Sequence, residues 1–129
     1  MNVLFVCIGN SGRSVMAERL FRRAAEGRHE VRSAGAAASG DSAEPVVVQA
    51  LAEVGIDASD HLPRQLDAAA LAWADLAVTV CRDDVCPATP GVRQLHWGFD
   101  DPWGRPLEEV RVIRDGILDA VERLVAELR

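Results

Sequence analysis

NVLFVCIGNSGRSVMAERLFRRAAEG, Asn2 to Gly27, runs from an apolar segment through a glycine-containing loop into a helical pattern. The apolar run Asn2 to Val6 (NVLFV) is rich in β-formers and bounded by the Gly9/Gly12 segment, the signature of a buried strand that ends in a tight loop. From Ser14 to about Gly27 the apolar positions Met16, Ala17, Leu20, Phe21 and Ala24 recur at helical spacing, and Gly27 is a natural stop. A strand, a loop and a helix in this order form the repeating unit of an α/β sheet.

Working outward, His29 to Ser33 (HEVRS) predicts a second strand and Ala34 to Ser42 a loop of small residues. Pro45 suits a first helical turn, and Val46 to Val54 predicts a helix that ends at Gly55. Leu66 to Trp73 is helical in pattern, Asp75 to Val80 (DLAVTV) is a buried strand leading directly into Cys81, and Arg93 to His96 is a shorter strand. From Leu107, the series Val110, Ile113, Ile117, Val121, Leu124, Leu128 predicts one amphipathic helix to the C-terminus, slightly weakened by Gly116. The alternation predicts an α/β fold: a three-layer sandwich with a small parallel sheet of about four strands and helices on both faces. At 129 residues, a single domain over 1–129 is the expectation. Sites in such sheets lie beyond the carboxyl ends of the strands, where Cys7 and Cys81 both fall.

Charge narrows the function. A formal net charge of −6 is a poor match to nucleic acid or an anionic membrane, so an anionic ligand must be held by local geometry. All 14 basic residues are arginine, which excludes a lysine nucleophile. The chain has no long apolar run and no secretory leader pattern, which predicts a cytoplasmic protein. In that reducing compartment three cysteines read as reactive thiols or metal ligands rather than a structural disulfide set.

Cys7 and Arg13 flank five residues, with Ser14 next and a helix beginning there. A loop entering a helix N-terminus aims backbone N–H groups inward as an anion nest, and the helix dipole adds positive potential. Ile8, Gly9, Asn10, Ser11, Gly12, Arg13 and Ser14 are therefore the candidate oxyanion-binding residues, with Gly9 and Gly12 supplying backbone freedom. The Arg13 guanidinium can fork onto two oxygens of a tetrahedral anion. The same field favours a thiolate at Cys7, aided by a Ser14 hydroxyl donating to the sulfur. The competing reading is a small buried residue at a strand end followed by an ordinary turn. The agreement of arginine spacing, glycines and helix start favours the oxyanion loop.

VLFVCIGNSGRSVMAE (Val3 to Glu18) and SAG (Ser33 to Gly35) resemble the active-site signature of the low-molecular-weight protein tyrosine phosphatase superfamily. DLAVTVCRDDVCP (Asp75 to Pro87) and HWGFDDP (His96 to Pro102) resemble its thioredoxin-coupled arsenate reductases, so the likeness spans nearly the whole chain. The resemblance implies a phosphatase-like fold in which Cys7 attacks a bound oxyanion, Arg13 cradles it, Asn10 shapes the loop and Ser14 supports the thiolate. It implies Asp101, before Pro102, as general acid, and a relay through Cys7, Cys81 and Cys86. It implies arsenate as substrate with phosphate or sulfate as competitors, thioredoxin as external dithiol reductant, no tightly bound cofactor, no metal and a monomer.

Other readings stay open. Asp100 and Asp101 can be a plain turn before a helix. Cys81 can be a buried strand-end residue and Cys86 an incidental thiol. A zinc site from Cys81, Cys86 and a histidine matches no strong spacing. The same-fold rival is a low-molecular-weight phosphatase acting on phosphotyrosine with the downstream cysteines incidental, and a weak side activity on aryl phosphates is expected of the reductase as well; a rival of another class is a non-catalytic thiol protein that binds arsenite or metal. A mycothiol- or glutaredoxin-linked reductant is also open. His61, His96 and the tryptophans read as structural.

The chain departs from its relatives in three places. Gly12 stands where some reductases carry a further cysteine, the Cys81 to Cys86 segment is short, and Arg64 occupies the Asp position of a potassium site otherwise matched by Asn10, Glu18 and Ser33. Pairing of Arg64 with Glu18 in place of that ion is the expectation.

Overall fold

The computed structural model describes residues 1–82 and 87–128; the predictions made for Cys86 lie outside the described residues. The chain forms β1 (Asn2–Cys7), α1 (Arg13–Ala25), β2 (Glu30–Gly35), α2 (Pro45–Ala52), α3 (Ala68–Trp73), β3 (Leu76–Thr79), β4 (Arg93–His96) and α4 (Leu107–Glu127). The four strands make one sheet in the order β2-β1-β3-β4, every neighbouring pair parallel. The α/β expectation holds, with β1 and β3 as the central strands.

Alternation along β1 builds two unequal cores. Val3, Phe5 and Cys7 pack with Met16, Leu20 and Phe21 of α1, Leu51 of α2, and Ile113 and Ile117 of α4. Leu4 and Val6 turn to the opposite face, where Ala70, Leu71 and Trp73 of α3 meet them. Phe5 stands edge-on to Phe21 at 5.6 Å between ring centroids and also touches Trp97, tying strand, helix and the β4 exit together. Burying each such ring contributes about 1.5–3 kcal/mol.

Element ends differ from the sequence reading for physical reasons. α1 begins at Arg13, one residue early, and stops where Glu26 enters the left-handed region at φ 50°, followed by Gly27 at φ 81°. β2 runs on to Gly35 because it stays in register with β1 as far as Cys7. α3 starts late: Leu66 donates its N–H to the Gly35 carbonyl (2.8 Å), and the Asp67 side chain then accepts from Ala70 N–H. Between β3 and β4 no helix is found among the described residues, so helices do not alternate with every strand as the pattern suggested.

α4 buries Val110, Ile113, Ile117, Val121 and Leu124, the predicted stripe. Gly116 has a use there that the pattern did not reveal. A Cβ at this position would sit 3.1 Å from Phe99, so the glycine lets the segment after β4 rest on the helix. No helix among the described residues is long and apolar enough to cross a membrane.

Candidate active site

The loop that follows β1 has nearly all its acceptors occupied from outside. The carbonyls of Cys7, Ile8, Gly9 and Ser11 accept from the backbone N–H groups of Ala36, Ala37, Ser39 and Glu44 at 2.8–3.2 Å. The Gly12 carbonyl takes Met16 N–H as the first helical bond, and the Asn10 carbonyl lies 2.7 Å from His61 Nε2. Among the described residues, none of the backbone N–H groups from Ile8 to Gly12 has a protein acceptor. With acceptors spent and donors unspent at a helix N-terminus, the loop is suited to a ligand rich in negative oxygen.

The glycines work differently from the expectation. Neither Gly9 nor Gly12 adopts positive φ; Asn10 does, at 53°. Asn10 tolerates it because its side chain is bonded at both ends, Nδ2 donating to Ser14 Oγ (2.8 Å) and Oδ1 accepting from Arg64 N–H (2.9 Å). Gly12 supplies space instead: a Cβ would come within 2.9 Å of Pro102 and 3.0 Å of Glu44 Oε2. Gly35 is more demanding still, since a Cβ there would meet the Ile8 carbonyl at 2.5 Å and Asn10 N at 2.8 Å.

Cys7 is a buried free thiol at the carboxyl end of β1, with Sγ 2.8 Å from Ser14 Oγ. Because Asn10 donates to that hydroxyl, the Ser14 proton is left to point at the sulfur. His61, read from sequence as merely structural, anchors the Asn10 carbonyl and so belongs to the framework of this network.

Arg13 is nearly buried. Its Nη1 donates to the Phe99 carbonyl (3.0 Å), and Nη2 lies 3.9 Å from Asp101 Oδ2. Asp100 and Asp101 separate cleanly. Asp100 is bonded to Arg82 at 2.5 Å, whereas among the described residues the Asp101 carboxylate accepts only Trp103 N–H at 3.0 Å and keeps an oxygen toward Arg13. Asp101, Arg13 and Cys7 line one cleft of about 850 Å³.

Cys81 follows β3, next to β1. Val80 N–H donates to the Val6 carbonyl at 2.9 Å, which sets the two strand ends side by side. Cys81 is fully buried and disulfide-bonded.

Two features were missed or misread in the sequence. Glu44 also lines the cleft, although nothing in the string beyond its place before Pro45 marks it. Its carboxyl is raised to about 7, by burial first and then by the nearby Asp101 charge, against the pull of Arg13. Arg64 does not supply the ion pair expected for Glu18: the Glu18 oxygens are bonded to Ser33 (2.5 Å) and Arg22 (2.6 Å). Arg22 is one helical turn away on α1 and reaches Glu18 with little ordering of the chain.

The family model for low molecular weight phosphotyrosine protein phosphatase matches residues 2–129. The chain belongs to this family. Arsenate reductase 2 of Staphylococcus haemolyticus (strain JCSC1435) is 42% identical over 123 residues, 93% of this chain and 92% of that one. Among solved structures, the thioredoxin-dependent arsenate reductase of Corynebacterium glutamicum aligns at 30% identity and a TM-score of 0.77, over 99% of this chain and 63% of that one. An arginine phosphatase from Geobacillus stearothermophilus aligns at 28% identity and a TM-score of 0.85, over 98% and 92%. Family membership alone thus spans hydrolytic and redox chemistry on one scaffold.

Proposed function

We propose that this chain is an arsenate reductase acting as one unit over 1–129, with Cys7, Arg13, Cys81, Cys86 and Asp101 as its reacting and supporting groups. The N–H groups of Ile8 to Gly12, with Arg13 and Ser14, hold arsenate. The Cys7 thiolate attacks arsenic, an As–O bond breaks, and Asp101 protonates the departing oxygen. The Cys81 thiolate then attacks Cys7 Sγ; the S–As bond breaks, its electron pair stays on arsenic, and As(V) becomes As(III). Arsenite leaves behind a Cys7–Cys81 disulfide. Cys86 attacks Cys81 and frees Cys7, and thioredoxin, a dithiol protein, returns the pair to thiols.

The observation that carries this reading is the placement of Cys81 on the strand end beside that of Cys7, tied by Val80 N–H to the Val6 carbonyl. A hydrolase has no use for a second sulfur there. The phosphatase reading is favoured by the loop and Asp101, which need no second cysteine, and by the arginine phosphatase of the same fold.

The test supplies arsenate, thioredoxin, thioredoxin reductase and NADPH. Wild type and the Cys7→Ser, Cys81→Ser and Cys86→Ser variants are compared. Arsenate-dependent NADPH oxidation should vanish in all three, with Cys86→Ser completing one turnover. No arsenate-dependent oxidation by wild type would reject the reductase in favour of the phosphatase, and loss in Cys7→Ser alone would overturn the relay through Cys81 and Cys86.

A further inference from the structure

We propose that Glu44 tunes oxyanion binding: its protonated carboxyl donates a hydrogen bond to the anion held by the Cys7 to Ser14 loop, and its ionised form repels that anion. The inference rests on the reading of this loop as an oxyanion site.

Placement comes first. Glu44 is pinned to the loop by its own backbone, whose N–H donates to the Ser11 carbonyl at 2.9 Å. Its Oε2 lies where a Cβ on Gly12 would come within 3.0 Å, and Glu44 lines the same cleft as Cys7 and Arg13. Gly12 is thus the residue that lets a carboxyl reach over the loop.

The state of that oxygen comes second. Oε2 is buried and has no hydrogen-bond partner among the described residues. Arg13 does not neutralise it by a direct bond, because its guanidinium is committed to the Phe99 carbonyl and turned toward Asp101. The charged groups facing Glu44 are Asp101 and Arg13, and Cys7, Arg82, Asp100 and Arg105 border the same cleft. An unpaired carboxylate there is costly, so the group holds its proton to about pH 7. A half-buried neutral carboxyl has one O–H to give, and a tetrahedral dianion is an acceptor suited to it.

Charge decides the rest. Binding a dianion raises the cost of ionising Glu44 further, so by linkage the anion binds tightly while Glu44 is protonated and more weakly once it is not. Most acidic residues near an anion site only weaken it. This one weakens it only on the alkaline side.

Sulfate is the probe, because it stays doubly charged throughout pH 6–8 and contributes no titration of its own. The Cys7→Ser protein, which removes the thiol, is compared with the same protein carrying Glu44→Gln, by calorimetric titration at pH 6, 7 and 8. Sulfate affinity should fall about fivefold from pH 6 to 8 with Glu44 and less than about twofold with Gln. All other groups are common to both proteins and cancel in the comparison. Parallel pH curves would overturn the role of Glu44. Should the Gln protein melt below assay temperature, Glu44→Ala in the same background must flatten the curve, and failure to do so overturns it equally. Absence of sulfate binding in every protein at every pH would instead overturn the oxyanion loop itself, and the inference with it.

Discussion

Two walls of one cleft are built in opposite ways, the loop from Cys7 to Ser14 and the rim from Phe99 to Arg105. In the loop, each carbonyl from Cys7 to Gly12 has a partner, and Asn10 and Ser14 are inaccessible to solvent. On the rim, the Asp101 and Asp100 side chains are 61% and 41% exposed and Trp103 is 74% exposed. The loop therefore presents its donors and thiol already arranged, with little left to order when an anion arrives. On the rim, Arg82 holds Asp100, and Trp103 N–H and Arg13 meet Asp101, on side chains that stay open to solvent. In the proposed mechanism, attack and proton transfer make different demands: fixed dipoles for the first, a group free to meet the leaving oxygen for the second.

That contrast can be broken most severely at Arg13, the residue that belongs to both walls. Arg13→Lys should lower arsenate-dependent kcat/KM by about a thousandfold while the melting temperature changes little, because a point charge cannot replace the fork and the Phe99 contact together. Next comes the rim acid. Asp101→Asn should cost about a hundredfold in kcat, whereas Asp100→Asn, which only frees Arg82, should stay within about threefold in the same steady-state assay. Equal losses in the two would show that the rim carboxylates are interchangeable and the contrast false.

Smaller effects probe the loop's framework. Asn10→Ala releases Ser14 and unties Arg64, and should slow iodoacetamide alkylation of Cys7 at pH 7 by about tenfold, the worth of one charge-assisted hydrogen bond. Gly116→Ala should be mildest: Phe99 must give by a few tenths of an ångström, moving the carbonyl that holds Arg13, for about a twofold loss of kcat/KM. Stability should also respond to pH through Glu44. Its carboxyl is raised in the folded chain, so stability is lost as pH rises from the ordinary carboxyl range through about 7. The melting temperature of wild type should drop more between pH 5 and pH 8 than that of Glu44→Gln.

The central strand, its loop and the long last helix were legible because each carries its own periodicity: Val3 and Phe5 before the loop, Val110 to Leu124 along α4. Cys7, Arg13 and Ser14 could be read for the same reason, since one short segment brings them together. Glu44, His61 and the Phe99 carbonyl could not. Each reaches the site from a distant segment through one contact, and a glutamate before a proline or a histidine in a loop looks the same in a thousand other chains. The glycines show the same limit. Gly12 and Gly35 were visible as residues, but their purpose lies in atoms of Pro102, Glu44 and Ile8, which are remote in sequence from the glycine they crowd.

By itself the sequence determined the kind of sheet and the grouping of Cys7, Arg13 and Ser14 around one loop, because these rest on spacing within one stretch of chain, where local geometry follows from residue type. Tertiary structure alone decided which carboxylate pairs with Arg82 and which faces Arg13, that Arg22 rather than Arg64 meets Glu18, and that Glu44 lines the cleft with its carboxyl raised to about 7. Burial, charge and hydrogen-bond partners at those groups are set by segments that come together only when the sheet and its helices pack, and no single stretch of sequence contains them.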